Sequence, residues 1–165
     1  MEACAGAVSQ PCAGAASEIS GKRLGPAVLG RRRRAQRRAI GLEWSSSQRG
    51  YDVYCEGKAD RLRVAYAPAR LSRSRHDRAV LILTSNRLVS ADGVAPGATE
   101  DSLRQALSDE RRLRVGRTTW YLGRRGPARV IYRVTRGRVA EVGIADRRFV
   151  RTARAARRML RMWSL

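Results

Sequence analysis

The spacing of hydrophobic positions changes period several times along the chain, and each change marks an element. Residues 1–20 are small and only weakly apolar, too little to offset the entropy of ordering, and are expected to form a disordered tail. From Leu24 a helical spacing begins. Leu24 and Val28, then Ala35, Ala39 and Ile40, are interleaved with Arg31, Arg32, Arg33, Arg34, Arg37 and Arg38, which predicts a short helix over about 31–40 stopped by Gly41. A polar stretch over 45–50 reads as a loop. Beyond it the period becomes two: Tyr51, Val53 and Cys55 share one face of a strand, and Leu62, Val64 and Tyr66 alternate in the next. Residues 56–60 are the connecting hairpin loop, and Pro68 ends the second strand. A charged loop over 69–78 leads into Ala79 to Thr84, whose unbroken apolar run predicts a strand buried on both faces.

The pattern then restarts. Thr99 is a helix cap, Glu100 and Asp101 complement the positive end of the helix, and Leu103, Ala106 and Leu107 turn one side toward a core. Strands are predicted over 118–122, 128–134 and 138–144, the last two joined at Arg136-Gly137. Val130, Tyr132 and Val134 are expected opposite Ala140, Val142 and Ile144, with Arg129, Arg133 and Arg138 in solvent. Placing Gly30 on Gly97 superposes Ala35 on Ser102, Ala39 on Ala106 and Ile40 on Leu107. The reading is an α+β fold of two imperfect helix-then-antiparallel-sheet units, 21–90 and 91–146. Residues 147–165 follow as a basic amphipathic helix, its stripe formed by Phe149, Ala153, Ala156, Leu160 and Trp163.

Charge alters this picture more than any other property. The chain carries 35 Lys and Arg against 14 Asp and Glu, a net +21, so its partners are expected among polyanions. All but two of those cations, Lys22 and Lys58, are arginine, a bias that GC-rich coding produces whatever the function. Candidate polyanion contacts are Arg31 to Arg34, Arg37 and Arg38 in the first helix, and Arg154, Arg157, Arg158 and Arg161 in the last. The last helix would either lie on anionic lipid or dock on the sheet, and docking has the larger weight because Phe149 and Trp163 need a dry environment. Trp120 and Tyr121, with Arg124 and Arg125, are candidate partner contacts, set against simple packing of the two rings on the second helix.

Catalytic and metal chemistry has little to stand on. His76, Asp77, Ser72 and Ser74 lie in one loop, whereas a catalytic triad needs its members brought together by a fold that orients the base. Gly123 to Gly126 lacks the lysine and hydroxyl of a phosphate-binding loop, and Cys4, Cys12 and Cys55 lack metal-ligand spacing. The cysteines are expected as unpaired thiols, with Cys4–Cys12 the alternative in an oxidising compartment. Neither catalytic residues, nor a metal, nor a cofactor is expected. No run reaches the roughly 20 apolar residues of a membrane-spanning helix. Met1 to Ser20 has neither the basic start nor the Leu-rich centre of a secretory signal, and on that ground alone reads as cytoplasmic.

Gly97-Ala98-Thr99, Trp120-Tyr121 and Gly137-Arg138-Val139 leading through Glu141 to Ile144 resemble the repeat of the outer-membrane-assembly lipoprotein (SmpA/OmlA-like) fold, which also builds the β-lactamase inhibitor protein. Residues 21 to 163 are also similar to uncharacterised, usually secreted actinobacterial proteins, through Leu24 to Gly30 and Asp52-Val53-Tyr54-Cys55. The resemblance implies a non-enzymatic binding or scaffolding module of the cell envelope or extracellular space, with a protein or an anionic polymer as its partner. A nucleic-acid-binding protein acting through its arginine-rich helices is the alternative.

Overall fold

A computed structural model describes residues 19–41, 44–48, 50–55, 61–108 and 111–163. Three two-residue strands, β1 (Ile19–Ser20), β2 (Arg23–Leu24) and β3 (Ala27–Val28), make a small antiparallel sheet. Ile19 and Ser20, expected in the tail, therefore belong to the fold. Gly21 at φ +57° closes the turn that pairs Ile19 with Leu24.

Next come α1 (Arg33–Ile40), β4 (Trp44–Gln48), β5 (Tyr51–Tyr54), β6 (Leu62–Tyr66) and β7 (Ala79–Thr84). The second half runs α2 (Glu100–Ala106), β8 (Arg111–Val115), β9 (Thr118–Arg125), β10 (Arg129–Thr135) and β11 (Arg138–Ala145). The chain closes with α3 (Ala153–Met162). The eight longer strands form one antiparallel sheet in the order β4-β5-β6-β7-β11-β10-β9-β8. Each half is thus a helix followed by a four-strand meander, and the final strands of the two meanders meet at the centre. The fold is α+β, with the C-terminal helix in place.

Equivalent bonds anchor the two helices. The N–H of Gly30 donates to the Ala79 carbonyl at 2.7 Å and that of Gly97 to the Val139 carbonyl at 2.7 Å. The Arg33 N–H donates to Asp77 O at 2.9 Å and the Glu100 N–H to Gly137 O at 2.9 Å. The caps differ. Thr99 Oγ1 accepts from the Ser102 N–H at 3.1 Å, whereas Arg32 supplies no side-chain cap to α1. Gly41, at φ +69°, ends α1 with its N–H on Arg37 O.

The core lies on both faces of the sheet. On one face α1 and the small sheet cover Tyr54, Leu62, Tyr66 and Ile82, and α2 buries Leu103 beside Tyr121, Tyr132 and Val142. On the other, α3 packs against β8 and places Ala156, Met159, Leu160 and Trp163 over Leu113, Trp120, Leu122 and Ile131. The apolar stripe of α3 is consumed by that docking, which leaves its arginines outward. Residues 79–84 are buried throughout, as their unbroken apolar run predicts.

Several expectations are corrected. The polar stretch at 44–48 is an edge strand, whose backbone pairs with β5 although its residues are poor strand formers. Residues 111–115 form β8, in which Leu113 and Val115 are buried while Arg112 and Arg114 are exposed. Ala106 is exposed, leaving Leu103 as the buried anchor of α2. Val134 stands opposite Val139, displaced from Ala140 by an irregularity after Arg133. Arg129 and Arg133 are not in solvent: Arg129 is buried, and the Arg133 side chain is only 14% exposed. Alternation assigned them correctly to the face opposite Val130, but that face is covered too. The hairpin loop at 56–60, Asp109-Glu110, Cys4 and Cys12 lie outside the described residues.

Candidate functional site

The arginines foreseen as one polyanion surface divide by what they touch. In α1, Arg33 and Arg37 point to the buried carboxylate of Asp52 on β5: Arg33 Nη2 to Oδ1 is 2.6 Å, and Arg37 Nη2 to Oδ1 is 2.7 Å. Ser47 Oγ receives further bonds from both guanidinium groups. Burial alone would raise the pKa of Asp52, but hydrogen bonds from Arg37 and Arg33 and their charges outweigh it and hold the carboxyl below its usual range. Arg31 donates to the Pro26 carbonyl at 3.1 Å. Arg32, Arg34 and Arg38 are exposed, as are Arg154, Arg157, Arg158 and Arg161 on α3.

A second buried carboxylate was not foreseen. Glu141 on β11 is fully buried and receives Arg63 of β6 through both carboxylate oxygens, Arg61 at 3.2 Å and Arg133 of β10 at 3.0 Å. Burial pushes its pKa up, and the charges of Arg63, Arg133 and Arg61 with the Arg63 hydrogen bond more than reverse this, so it stays ionised. Arg61 and Arg63 belong to the first half of the chain, Glu141 and Arg133 to the second. The cluster is a lock between halves.

Trp120 and Tyr121 do not form an exposed contact pair. Trp120 is 3% exposed under α3 and Tyr121 is fully buried, its hydroxyl donating to Glu100 Oε1 at 2.6 Å. That burial, followed by the bond to Glu100, pushes the phenol up to about 12. Both rings are consumed by the core because successive strand positions face opposite sides of a sheet that is covered on each side. The side chains of Arg124 and Arg125 lie outside the described residues.

A concentration of cations lies at one end of the sheet. A cleft of about 920 Å³ opens between four segments: the β1–β2 turn, the loop before β7, the start of β10, and the link from β11 to α3. Lys22, Arg75, Arg129, Arg147, Arg148 and Arg151 line it, with Asp146 their one acidic neighbour in the lining. Asp146 is fixed by its backbone N–H, which donates to Val80 O at 2.8 Å. Its Oδ1 accepts from the Arg148 N–H at 3.0 Å, which folds the link into a turn and presents Arg147 and Arg148 outward. Burial raises the pKa of Asp146, and the nearby charges of Arg75, Lys22 and Arg147 offset only part of that rise. Four groups distant in sequence thus share one field.

A neighbouring groove of about 340 Å³ shares Arg75 and Arg148 with the cleft and adds Ser72, Ser74, Phe149 and Arg158. Sequence reading noted the charges of 69–78 and 147–158 separately. It had no signal that they meet, nor that Lys22 and Arg129 join them.

His76 is exposed on the 69–78 loop, and Ser72 Oγ lies 3.3 Å from Ser74 Oγ. Among the described residues no group of three His, Cys, Asp or Glu side chains could hold a metal ion, and no helix is long and apolar enough to cross a membrane. Cys55, expected as a free thiol, is disulfide-bonded.

No protein-family model matches the chain, and no curated protein matches it. Among solved structures, the 1.5 Å crystal structure of an extracellular protein containing a SCP domain from Bacillus anthracis str. Ames is similar at 13% identity, with a TM-score of 0.39. The match covers 72% of this chain and 44% of that one.

Proposed function

We propose that this protein is a non-catalytic binding module of the cell envelope or extracellular space that holds an anionic chain in the cleft around Asp146. The observation that carries the reading is the gathering of Lys22, Arg75, Arg147, Arg148 and Arg151, from three segments, in the lining of one cleft beside Asp146. A concave site with low-dielectric walls focuses such a field and raises the local concentration of anions far more than scattered surface arginines do. The disulfide at Cys55 supports an oxidising compartment. Exposure of His76 on a surface loop supports a binding role over catalysis.

Titration with heparin, a sulfated polyanion, at stepped salt concentrations tests the reading. Binding should weaken steeply with salt as the Debye length shrinks from roughly 10 Å at 0.1 M. Replacing Arg147 and Arg148 together by Ala should weaken it further, whereas replacing Arg34 and Arg38 on α1 should have little effect. Equal losses from the two pairs would move the site away from the cleft, and no binding near physiological salt would end the proposal.

A further inference from the structure

The smaller groove narrows the chemistry of the ligand, and the narrowing rests on the polyanion reading above. The larger cleft supplies charge, with Lys22, Arg75, Arg147 and Arg148 gathered about Asp146. The groove beyond Arg75 and Arg148 differs in kind. Leu71, Phe149 and Ala155 give it apolar walls, Ser72 and Ser74 give it hydroxyls, and Arg158 gives it one further cation. An anionic chain that runs through both therefore meets charge first, then apolar surface with hydroxyl partners beside a guanidinium.

We infer that the occupant is a linear glycan or polyol chain bearing tetrahedral oxyanions, phosphate or sulfate, with the carbon framework of a repeating unit against Phe149 and its hydroxyls at Ser72 and Ser74. A bare polyphosphate has no carbon framework to cover Leu71 and Phe149. A single-stranded nucleic acid needs aromatic platforms for successive bases, and the linings of the two grooves hold one aromatic side chain, Phe149, which is half-buried. A carboxylate offers two in-plane oxygens to one guanidinium fork, whereas a tetrahedral oxyanion accepts from donors on several sides, as Lys22, Arg75 and the cations of the β11–α3 link line this cleft from three segments. Phe149 is placed for this role: it is partly buried against the core and also lines the groove.

The test compares four probes of matched charge at one ionic strength by calorimetry: heparin oligosaccharides, poly(glycerol phosphate), inorganic polyphosphate and oligo-dT. Heparin or poly(glycerol phosphate) should bind at least about tenfold more tightly than the other two, a gap of about 1.4 kcal/mol. The preferred probe distinguishes a sulfated glycan from a phosphate-linked polyol. Phe149→Leu, which keeps apolar contact with the core while removing the flat ring, should reduce that preference to within about threefold, and Ser72→Ala with Ser74→Ala should reduce it less. Arg148→Ala should weaken all four probes alike. Equal or tighter binding of polyphosphate or oligo-dT, or a preference unchanged in Phe149→Leu, overturns the inference and leaves the polyanion cleft standing. Failure of every probe to bind removes the cleft reading itself.

Discussion

Two carboxylates a few residues apart in sequence, Glu141 and Asp146, show how one residue type can do two kinds of work. Around Glu141 three guanidinium groups share a buried acid and satisfy it. Around Asp146 the charges of Arg75, Lys22 and Arg147 act on one partly buried acid, and Arg148 and Arg151 line the same cleft. The difference is depth. On the covered sheet face, unmatched charge would cost several kcal/mol, so each arginine there is held to a carboxylate or a carbonyl. At the open end of the strands water offsets the repulsion, and the excess persists until an anion displaces that water. Arginine count therefore says little about binding, whereas the local supply of carboxylates says much.

The comparison is broken most severely at its buried side. Glu141→Ala leaves three guanidinium groups without their acid and should cost about 3–5 kcal/mol in urea unfolding. Asp52→Asn, which removes the acid from two partly exposed arginines, should cost about 2 kcal/mol in the same measurement. Both carboxyls have lowered folded-state pKa values, so the stability they contribute is present above the unfolded value near 4 and is lost as pH falls through the lowered one. Glu141→Gln should accordingly flatten the acid limb of the stability profile. On the open side, Arg147→Ala with Arg148→Ala should move stability by no more than about 0.5 kcal/mol while weakening heparin by about tenfold or more.

The smallest effect sharpens the contrast by reversing its sign. Asp146 has a raised folded-state pKa, so what it contributes to stability is present at acid pH and is lost as pH rises through that value. Asp146→Asn should tighten heparin binding a few-fold at neutral pH and abolish the strengthening expected for the natural chain as pH falls. Tighter binding on acidification that persists in Asp146→Asn would place the responsible group elsewhere.

Period and punctuation made most of the fold legible. The switch from three-four spacing to alternation located α1, β5 and β6, and the cap at Thr99 and the glycine-bearing turn at Arg136-Gly137 located α2 and the last hairpin. β8 escaped although Arg112, Leu113, Arg114 and Val115 alternate, because three arginines in five residues mask so short a signal. β4 escaped for a different reason. An edge strand is held by backbone pairing and needs few apolar side chains. Alternation also states which face a residue takes but not whether that face is covered, which is why Arg129 and Arg133 were expected in solvent and why packing and partner contact both stood open for Trp120 and Tyr121. The candidate cleft was the least legible part. Its residues come from segments as far apart in sequence as Lys22 and Arg151, and each segment alone looks like ordinary solvated charge.

The antiparallel meeting of β7 and β11 has one more consequence. Counting from the matched bonds at Ala79 and Val139, Leu83 and Gly143 hold the same place in their strands, and they stand directly opposite each other. A pseudo-twofold axis therefore passes between them, and a half-length ancestor pairing with its own copy would have generated the same eight-stranded sheet. Such a homodimer must place identical side chains face to face on its axis. One polypeptide is free of that constraint: a leucine faces a glycine, at a spot where a β-carbon on Gly143 would collide with the Ile82 carbonyl oxygen. A single chain can thus carry different residues on the two sides of the seam, as it carries its cationic cleft at one end of the sheet.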